Sequence, residues 1–116
     1  MRNDRENEIV EVSFEFALKI VAFCEILEEK RKYVIARQLL KSGTSIGANI
    51  REAQNAESKA DFIHKLKIAA KEADETEYWL LLCKKAKNYP YDPELETGLL
   101  SILKLLGKIL GTLKRK

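Results

Sequence analysis

Apolar residues recur at steps of three and four along almost the whole chain. Two adjacent stripes of this kind come first, and they consist of Phe16, Ile20, Phe23 and Leu27 beside Val10, Phe14, Ala17 and Val21. Residues 9–16 taken alone alternate like a strand, but stripes sustained this far favour a helix. We therefore expect a first helix over about residues 10–29, with Ser13 as a candidate N-cap.

Two later segments carry longer seams at the same spacing. One seam consists of Phe62, Leu66, Ala69, Ala73, Thr76, Leu80 and Cys83, and the other of Leu95, Leu99, Ile102, Leu106, Ile109 and Leu113. Ser58 begins an S-x-x-D start signal, and Asp92 precedes a proline suited to the first helical position. The pattern predicts helices over about residues 59–88 and 93–114, separated by a break that contains Pro90 and Pro93.

The segment KSGTSIGANIREA, residues 41–53, has two candidate interpretations. Its small residues are typical of a phosphate-binding loop, but such a loop needs G-x-x-x-x-G-K-[ST] after a strand. Here only three residues separate Gly43 from Gly47, Ala48 and Asn49 follow, and the flanking residues have helical spacing. The segment therefore belongs to a predicted second helix, over about residues 32–56.

On that helix the side chains form three neighbouring stripes. The apolar stripe is Ile35, Leu39, Ile46, Ile50 and Ala53; the small polar stripe is Gln38, Ser42, Ser45, Asn49 and Glu52; the basic stripe is Arg37, Lys41 and Arg51 with Thr44 and Ala48. Gly43 and Gly47 form a G-x-x-x-G step that permits close approach of another backbone. We expect the polar stripe to fix the register against Glu72, Glu75 or Thr76, or against a neighbouring subunit.

Four amphipathic helices with short connections predict one all-α domain over residues 1–116, an antiparallel up-down four-helix bundle. Several leucines lie beside the seams rather than within them: Leu81, Leu82, Leu100, Leu103, Leu105 and Leu110. A monomeric bundle would expose some of them. Exposed apolar surface usually marks an interface, so we expect a homo-oligomer.

The net charge of +3 is unevenly distributed among the 116 residues. Residues 1–29 hold three basic and eight acidic residues, and the remainder hold eighteen and ten. Basic residues cluster at Lys84, Lys85 and Lys87 and at Lys114, Arg115 and Lys116. These clusters and the basic stripe have two explanations: solvated or dipole-complementing positions on helices, or contacts to nucleic-acid phosphates.

The sequence carries little that predicts catalysis or metal binding. His64 is the only histidine, and Cys24 and Cys83 lack metal-ligand spacing, so we expect no enzyme, cofactor or metal. We expect both thiols to be reduced and buried in a cytoplasmic protein. The first residues lack the apolar region of a signal peptide, and no apolar run reaches the length of a membrane span.

Residues 37–80 resemble a known family in a long block of motifs. The matching positions are Gln38, Thr44, Ser45, Ile46, Ala48, Asn49, Glu52, Glu72, Glu75, Thr76, Tyr78, Trp79 and Leu80. The block resembles the four-helix-bundle proteins first noted in intervening sequences of bacterial large-subunit ribosomal RNA genes. That family is similar to the accessory variability determinant proteins of diversity-generating retroelements, which are pentamers that bind nucleic acid and partner a reverse transcriptase. The resemblance implies a ring-shaped homo-oligomer, a pentamer.

The basic clusters, the expected homo-oligomer and the family resemblance together favour a nucleic-acid-binding function. The candidate phosphate contacts are Arg37, Lys41, Arg51, Lys84, Lys85, Lys87, Lys114 and Arg115. The candidate packing and register residues are Gln38, Gly43, Ser45, Gly47, Asn49, Glu52 and Glu75. The alternative function is that of an adaptor whose oligomer docks another protein.

Overall fold

The computed structural model describes residues 4–114, with the side chains of residues 8–113. It contains four α-helices: α1 Asp4–Glu29, α2 Tyr33–Ala53, α3 Lys59–Lys85 and α4 Pro93–Lys114. No strand occurs within the described residues. The predicted all-α class is therefore confirmed.

Each helix contacts the helices before and after it in the chain, and α4 also contacts α1. The two diagonal pairs, α1 with α3 and α2 with α4, do not approach one another. The connections 30–32, 54–58 and 86–92 are too short to cross the bundle, so successive helices run in opposite directions. The result is an elongated square bundle measuring 48 × 21 × 19 Å.

The first helix begins at Asp4, earlier than predicted, and Ser13 lies in its interior rather than at its start. Ser13 is 1% exposed, and its hydroxyl donates to the Val10 carbonyl at 3.2 Å. The charged residues that precede Glu8 carry no apolar period, so the sequence pattern could not mark this part of the helix. The Ser13 hydroxyl therefore bonds a carbonyl of the preceding helical turn instead of capping the first amides of the helix.

A backbone motif without glycine or proline ends α1. The amide of Lys32 donates to the Leu27 carbonyl at 2.8 Å, and the amide of Arg31 donates to the Glu28 carbonyl at 2.9 Å. Arg31 has a φ of 63°, in the left-handed region. These are the bonds of a Schellman motif, in which glycine usually takes the left-handed position.

The second and third helices end three residues before their predicted ends. Single turns after α2 join Gln54 to Arg51 and Ala56 to Ala53 without extending the helix. Beyond α3, Ala86 is extended with ψ 141°, and Asn88 has a φ of 66°. The spacing of apolar residues does not report backbone ψ or φ, so it could not place these two helix ends.

Both predicted N-caps of the later helices are confirmed. The Ser58 hydroxyl accepts the Asp61 amide at 3.0 Å, and the Asp61 carboxylate accepts the Glu57 amide at 3.2 Å. At α4, Asp92 accepts the Glu94 amide at 3.0 Å, with Pro93 at the first helical position. Each cap satisfies amides that the helix itself leaves without partners.

The core consists largely of the predicted seams, with Ile9, Cys24 and Ala36 added to them. Its largest fully buried apolar side chains are Ile9, Ile20, Leu27, Leu39, Ile46, Ile50, Leu66, Leu95, Leu99, Ile102 and Leu106. Phe62, the first residue of the α3 seam, is only half-buried. The second α1 stripe lies outside the core, since Phe14 is 56% exposed and Val21 is 40% exposed.

Candidate nucleic-acid interface

The glycines of residues 41–53 lie where α2 packs directly against α1. A Cβ atom at Gly43 would stand 2.9 Å from Cγ1 and Cγ2 of Ile20. At Gly47 it would stand 3.2 Å from the carbonyl oxygen of Ser13. The whole segment is helical, so it does not form a phosphate-binding loop. Its glycines leave room for the neighbouring helix.

The polar stripe of α2 is satisfied mainly within its own helix. The Ser45 hydroxyl donates to the Lys41 carbonyl at 2.6 Å, and the Asn49 amide donates to the Ser45 carbonyl at 2.9 Å. Glu52 does reach α3, where it pairs with Lys65 at 2.9 Å, and this pairing raises the pKa of Lys65. Gln38 is exposed.

The buried hydrogen bond between α2 and α3 instead joins Ser42 to Thr76. Their hydroxyl oxygens are 2.9 Å apart and both residues are fully buried. Thr76 is among the partners expected on α3, whereas Glu75 turns outward and accepts the indole N–H of Trp79 at 3.1 Å. Ser42 precedes Ser45 by nearly one turn on the same stripe, and it faces the interior more directly.

The basic stripe lies on the solvent side of α2. Arg37, Lys41 and Arg51 are all exposed, and within the described side chains no carboxylate lies within ion-pairing distance of them. Arg51 lines a shallow groove of about 240 Å³ between α1 and α2, together with Val10 and Phe14. The stripe therefore offers free cations beside an apolar surface.

The lysines at the end of α3 are also accessible. Lys84 pairs with Glu96 across the α3–α4 junction at 3.5 Å, and Lys85 and Lys87 are exposed without a carboxylate partner among the described side chains. Lys114 is the last described residue of α4, and its side chain is not described. Arg115 lies outside the described residues.

The fold adds three cations that the sequence pattern did not mark as phosphate contacts. Lys30, Arg31 and Lys32 form the α1–α2 connection, at the same end of the bundle as the α3–α4 connection. The Lys32 ammonium lies 4.7 Å from the ring centroid of Tyr89, which joins the two connections directly. We call this group the cationic end, and it consists of Lys30, Arg31, Lys32, Lys84, Lys85 and Lys87.

The run EEKRK is visible in the sequence as a polar connection. Its closeness to the α3 lysines depends on the antiparallel topology, which brings residues about fifty positions apart to one end of the bundle. A search of predicted connections for like charges at the same end would have found it. Charge patterning along the chain alone could not.

Five carboxylates lie at the same end of the bundle as the six cations: Glu28, Glu29, Asp92, Glu94 and Glu96. Among them, Glu96 is engaged by neighbouring side chains. The Tyr91 hydroxyl donates to Glu96, and this hydrogen bond raises the pKa of Tyr91 to about 12. The same bond, followed by the charge of Lys84, lowers the pKa of Glu96. The Lys84 ammonium also lies 5.6 Å from the Tyr91 ring centroid. Glu96 is thus held by two partners within the protein.

The two cysteine thiols lie inside the bundle. Burial raises the pKa of Cys24 to about 12, assisted by the nearby Cys83 and Glu28, and it raises the pKa of Cys83 to about 11. Both thiols are free. A thiol held protonated in this way is a poor nucleophile and a poor metal ligand.

Among the described side chains of residues 8–113, no group of three or more histidine, cysteine, aspartate or glutamate residues is placed to hold a metal ion. Within the same residues, no helix combines the length and apolar character that crossing a bilayer requires.

Comparison with known proteins identifies the family. The model of the family described as "23S rRNA-intervening sequence protein" matches residues 5–110. A crystal structure of a protein with unknown function from the S23 ribosomal protein family of Bacteroides thetaiotaomicron VPI-5482 is 46% identical, with a TM-score of 0.85. The match covers 92% of this chain and 98% of that chain. No curated protein matches the chain. This chain therefore belongs to the 23S rRNA-intervening sequence protein family.

Proposed function

We propose that the protein is a homo-oligomer that binds the phosphate backbone of RNA or DNA through its cationic end. The observation that carries this proposal is the contact between Lys32 and Tyr89, 4.7 Å from ammonium to ring centroid. This contact places two short basic segments side by side. Neither segment alone holds more than three of the six cations.

The chemistry of the cationic end suits phosphates. Arginine and lysine side chains that neutralise phosphates release condensed counterions, which gives affinity without base recognition. Lys30, Arg31, Lys85 and Lys87 are exposed and have no carboxylate partner among the described side chains. They are therefore available to phosphates at little cost in broken ion pairs.

The conformation of Arg31 supports a role beyond chain reversal. A left-handed φ of 63° favours glycine or asparagine, and arginine there costs about 1 kcal/mol. Strained backbone is found preferentially at functional positions. A charged side chain at such a position is consistent with a contact that requires it.

The family supports the same direction. Its description and that of the crystallised relative both refer to ribosomal RNA or the ribosome. We propose further that the oligomer is a ring of five copies, similar to the accessory proteins of diversity-generating retroelements. Its protein partner would then be a nucleic-acid enzyme such as a reverse transcriptase. A ring would repeat the cationic end around one axis and raise its affinity for a long polyanion. The proposal contains no catalytic step, cofactor or metal, because charge pairing with phosphates requires none.

Two variants with equal change in charge test this proposal. Lys30→Glu, Lys85→Glu and Lys87→Glu reverse the cationic end, whereas Lys67→Glu, Lys71→Glu and Lys104→Glu reverse exposed lysines on the sides of the bundle. Fluorescence anisotropy with a 20-nucleotide RNA and a matched DNA should show at least a tenfold drop in affinity for the first variant. The affinity of the second should fall by less than about threefold. Equal decreases would contradict a localised site, and undiminished binding by the first variant would exclude the cationic end.

An adaptor function is the second candidate, and exposed apolar side chains favour it. Phe14 and Leu18 are each 56% exposed on α1, and Leu100 is 49% exposed on α4. Apolar residues at this exposure are typical of surfaces that bind protein. Co-purification of a partner protein that survives nuclease treatment, together with absence of RNA and DNA binding, would favour this function over the first.

A further inference from the structure

Two apolar surfaces lie on opposite edges of the bundle. The α1/α2 face is the groove lined by Val10, Phe14, Ala17, Thr44, Gly47, Ala48 and Arg51, with Val21 and Leu40 continuing it toward the cationic end. The α3/α4 face is a groove of about 390 Å³ whose lining includes Tyr78, Leu81, Asp74 and Glu77. Because the helices contact only in the cycle α1–α2–α3–α4, these two edges face away from each other.

The charges beside the two faces are complementary. Arg37 and Lys41 flank the α1/α2 face, and Asp74 and Glu77 line the α3/α4 face. All four are exposed, and none pairs with an opposite charge among the described side chains. Lys84 and Glu96 also line the α3/α4 face, but they pair with each other, which leaves Asp74 and Glu77 as its unpaired charges. The unpaired charges are therefore cationic beside the α1/α2 face and anionic on the α3/α4 face.

Lys41 and Glu77 also lie at the same depth from the cationic end of the bundle, where α2 begins and α3 ends. At a rise of about 1.5 Å per residue, Arg37 and Lys41 lie ~6 and ~12 Å below the start of α2. By the same rise, Glu77 and Asp74 lie ~12 and ~16 Å below the end of α3. A neighbouring copy with its bundle axis parallel would place Lys41 level with Glu77.

We propose that the α1/α2 face of one copy binds the α3/α4 face of the next copy. This inference rests on the proposed homo-oligomer, and it names the surfaces that form it. The apolar residues of the two faces would supply the buried area, and Arg37 and Lys41 would pair with Asp74 and Glu77. Unlike faces make a heterologous contact, which closes into a ring when the two faces are inclined to each other.

The depth along the bundle distinguishes Arg51 from Arg37 and Lys41, the other two cations of the basic stripe. Arg51 lies ~27 Å below the start of α2, and Lys67 lies ~27 Å below the end of α3. A parallel neighbour would therefore bring Arg51 to a lysine rather than a carboxylate. Arg37 and Lys41 thus supply the cations of the contact between copies, Arg51 lies at the far end of the same face without a carboxylate opposite it, and phosphates bind at the cationic end.

Charge reversal followed by light scattering at 150 mM salt tests the pairing. Arg37→Glu with Lys41→Glu should lower the oligomer mass, as should Asp74→Lys with Glu77→Lys, with at least a tenfold rise in the concentration at which half the protein assembles. The protein carrying all four substitutions should regain the wild-type mass. Lys19→Glu with Lys108→Glu reverses two exposed lysines that line neither groove, so it is the matched control and should retain the wild-type mass.

The outcomes distinguish this pairing from the assembly itself. A monomeric wild-type protein would overturn the homo-oligomer. If the wild type is oligomeric and neither charge-reversed variant has a lower mass, only the pairing is overturned. A lower mass in one of the two variants alone would also overturn the pairing, because it indicates a contact between two like faces. Failure of the four substitutions to restore mass also counts against it. Circular dichroism checks folding, which these exposed positions should not disturb.

Discussion

The ammonium of Lys32 stands over the ring of Tyr89, 4.7 Å from its centroid. Lys32 belongs to the α1–α2 connection, and Tyr89 belongs to the α3–α4 connection. A cation above an aromatic face is stabilised by about 0.5–1 kcal/mol at accessible sites. This contact fixes the relative position of the two basic segments on which the proposed binding depends.

Removal of the Tyr89 ring should therefore weaken nucleic-acid binding without removing a charge. We expect Tyr89→Leu to reduce affinity about two- to fivefold, the equivalent of the cation–π energy. Tyr89→Phe keeps the aromatic face and should bind like the wild type. Fluorescence anisotropy measures both, and equal affinities for the two variants would show that the contact does not organise the site.

Adding one methyl group should have opposite effects at two glycines. Gly43→Ala places a Cβ 2.9 Å from Ile20, so it should destabilise the protein by about 1–3 kcal/mol. Gly107→Ala meets nothing within 4 Å, and it should stabilise α4 by about 0.5–1 kcal/mol through its higher helix propensity. Urea denaturation at fixed protein concentration measures both. If Gly43→Ala were as stable as Gly107→Ala, the close α1–α2 contact at Gly43 would be contradicted.

The buried pair of hydroxyls should behave as a coupled unit. Thr76→Val alone leaves the buried Ser42 hydroxyl without this partner, at a cost of about 1–3 kcal/mol. Ser42→Ala alone should cost less, because the Thr76 hydroxyl still donates to the Glu72 carbonyl at 2.8 Å. The double variant should cost less than the sum of the two, because no buried hydroxyl then remains. Additive free energies of unfolding in this double-mutant cycle would indicate that the 2.9 Å contact contributes no coupling.

Tyr91 should ionise well above the ordinary pKa of a tyrosine. Its pKa is raised to about 12 by donation to Glu96, so folding favours its neutral form. The stabilisation is present below the ordinary pKa of 10.0 and disappears as the pH rises toward 12. The difference in tyrosinate absorbance between the wild type and Tyr91→Phe, followed against pH, reports the ionisation of Tyr91 alone. Glu96→Gln should lower its midpoint, and an unchanged midpoint would contradict the assigned cause.

Features encoded within a few residues were predictable from the sequence. Ser58 and Asp92 act as caps because a side chain three or fewer positions from the amide it serves needs no tertiary context. The buried seams of α3 and α4 follow from spacing alone. The four helices and the core therefore emerge from local chemistry and periodicity.

Features that depend on neighbours in space were not predictable. The end of α1 was predicted correctly at residue 29, but the backbone motif that ends it was not, because Arg31 adopts a left-handed φ where glycine is usual. Ser42 and Ser45 share one stripe, yet only Ser42 meets Thr76, because adjacent turns of one helix differ in how directly they face α3. The cationic end needed the topology, since its two segments lie far apart in the chain.

The salt dependence of affinity tests the central claim most directly. Binding of the wild-type protein to a 20-nucleotide RNA is measured at several salt concentrations between 50 and 500 mM, alongside the variant with Lys30, Lys85 and Lys87 changed to glutamate. If the cationic end neutralises phosphates, log affinity falls linearly with log salt, and the slope of the variant is shallower by about 0.7 for each phosphate that the variant no longer neutralises. A wild-type affinity that does not change across this range, or identical slopes for the two proteins, would contradict the proposed function.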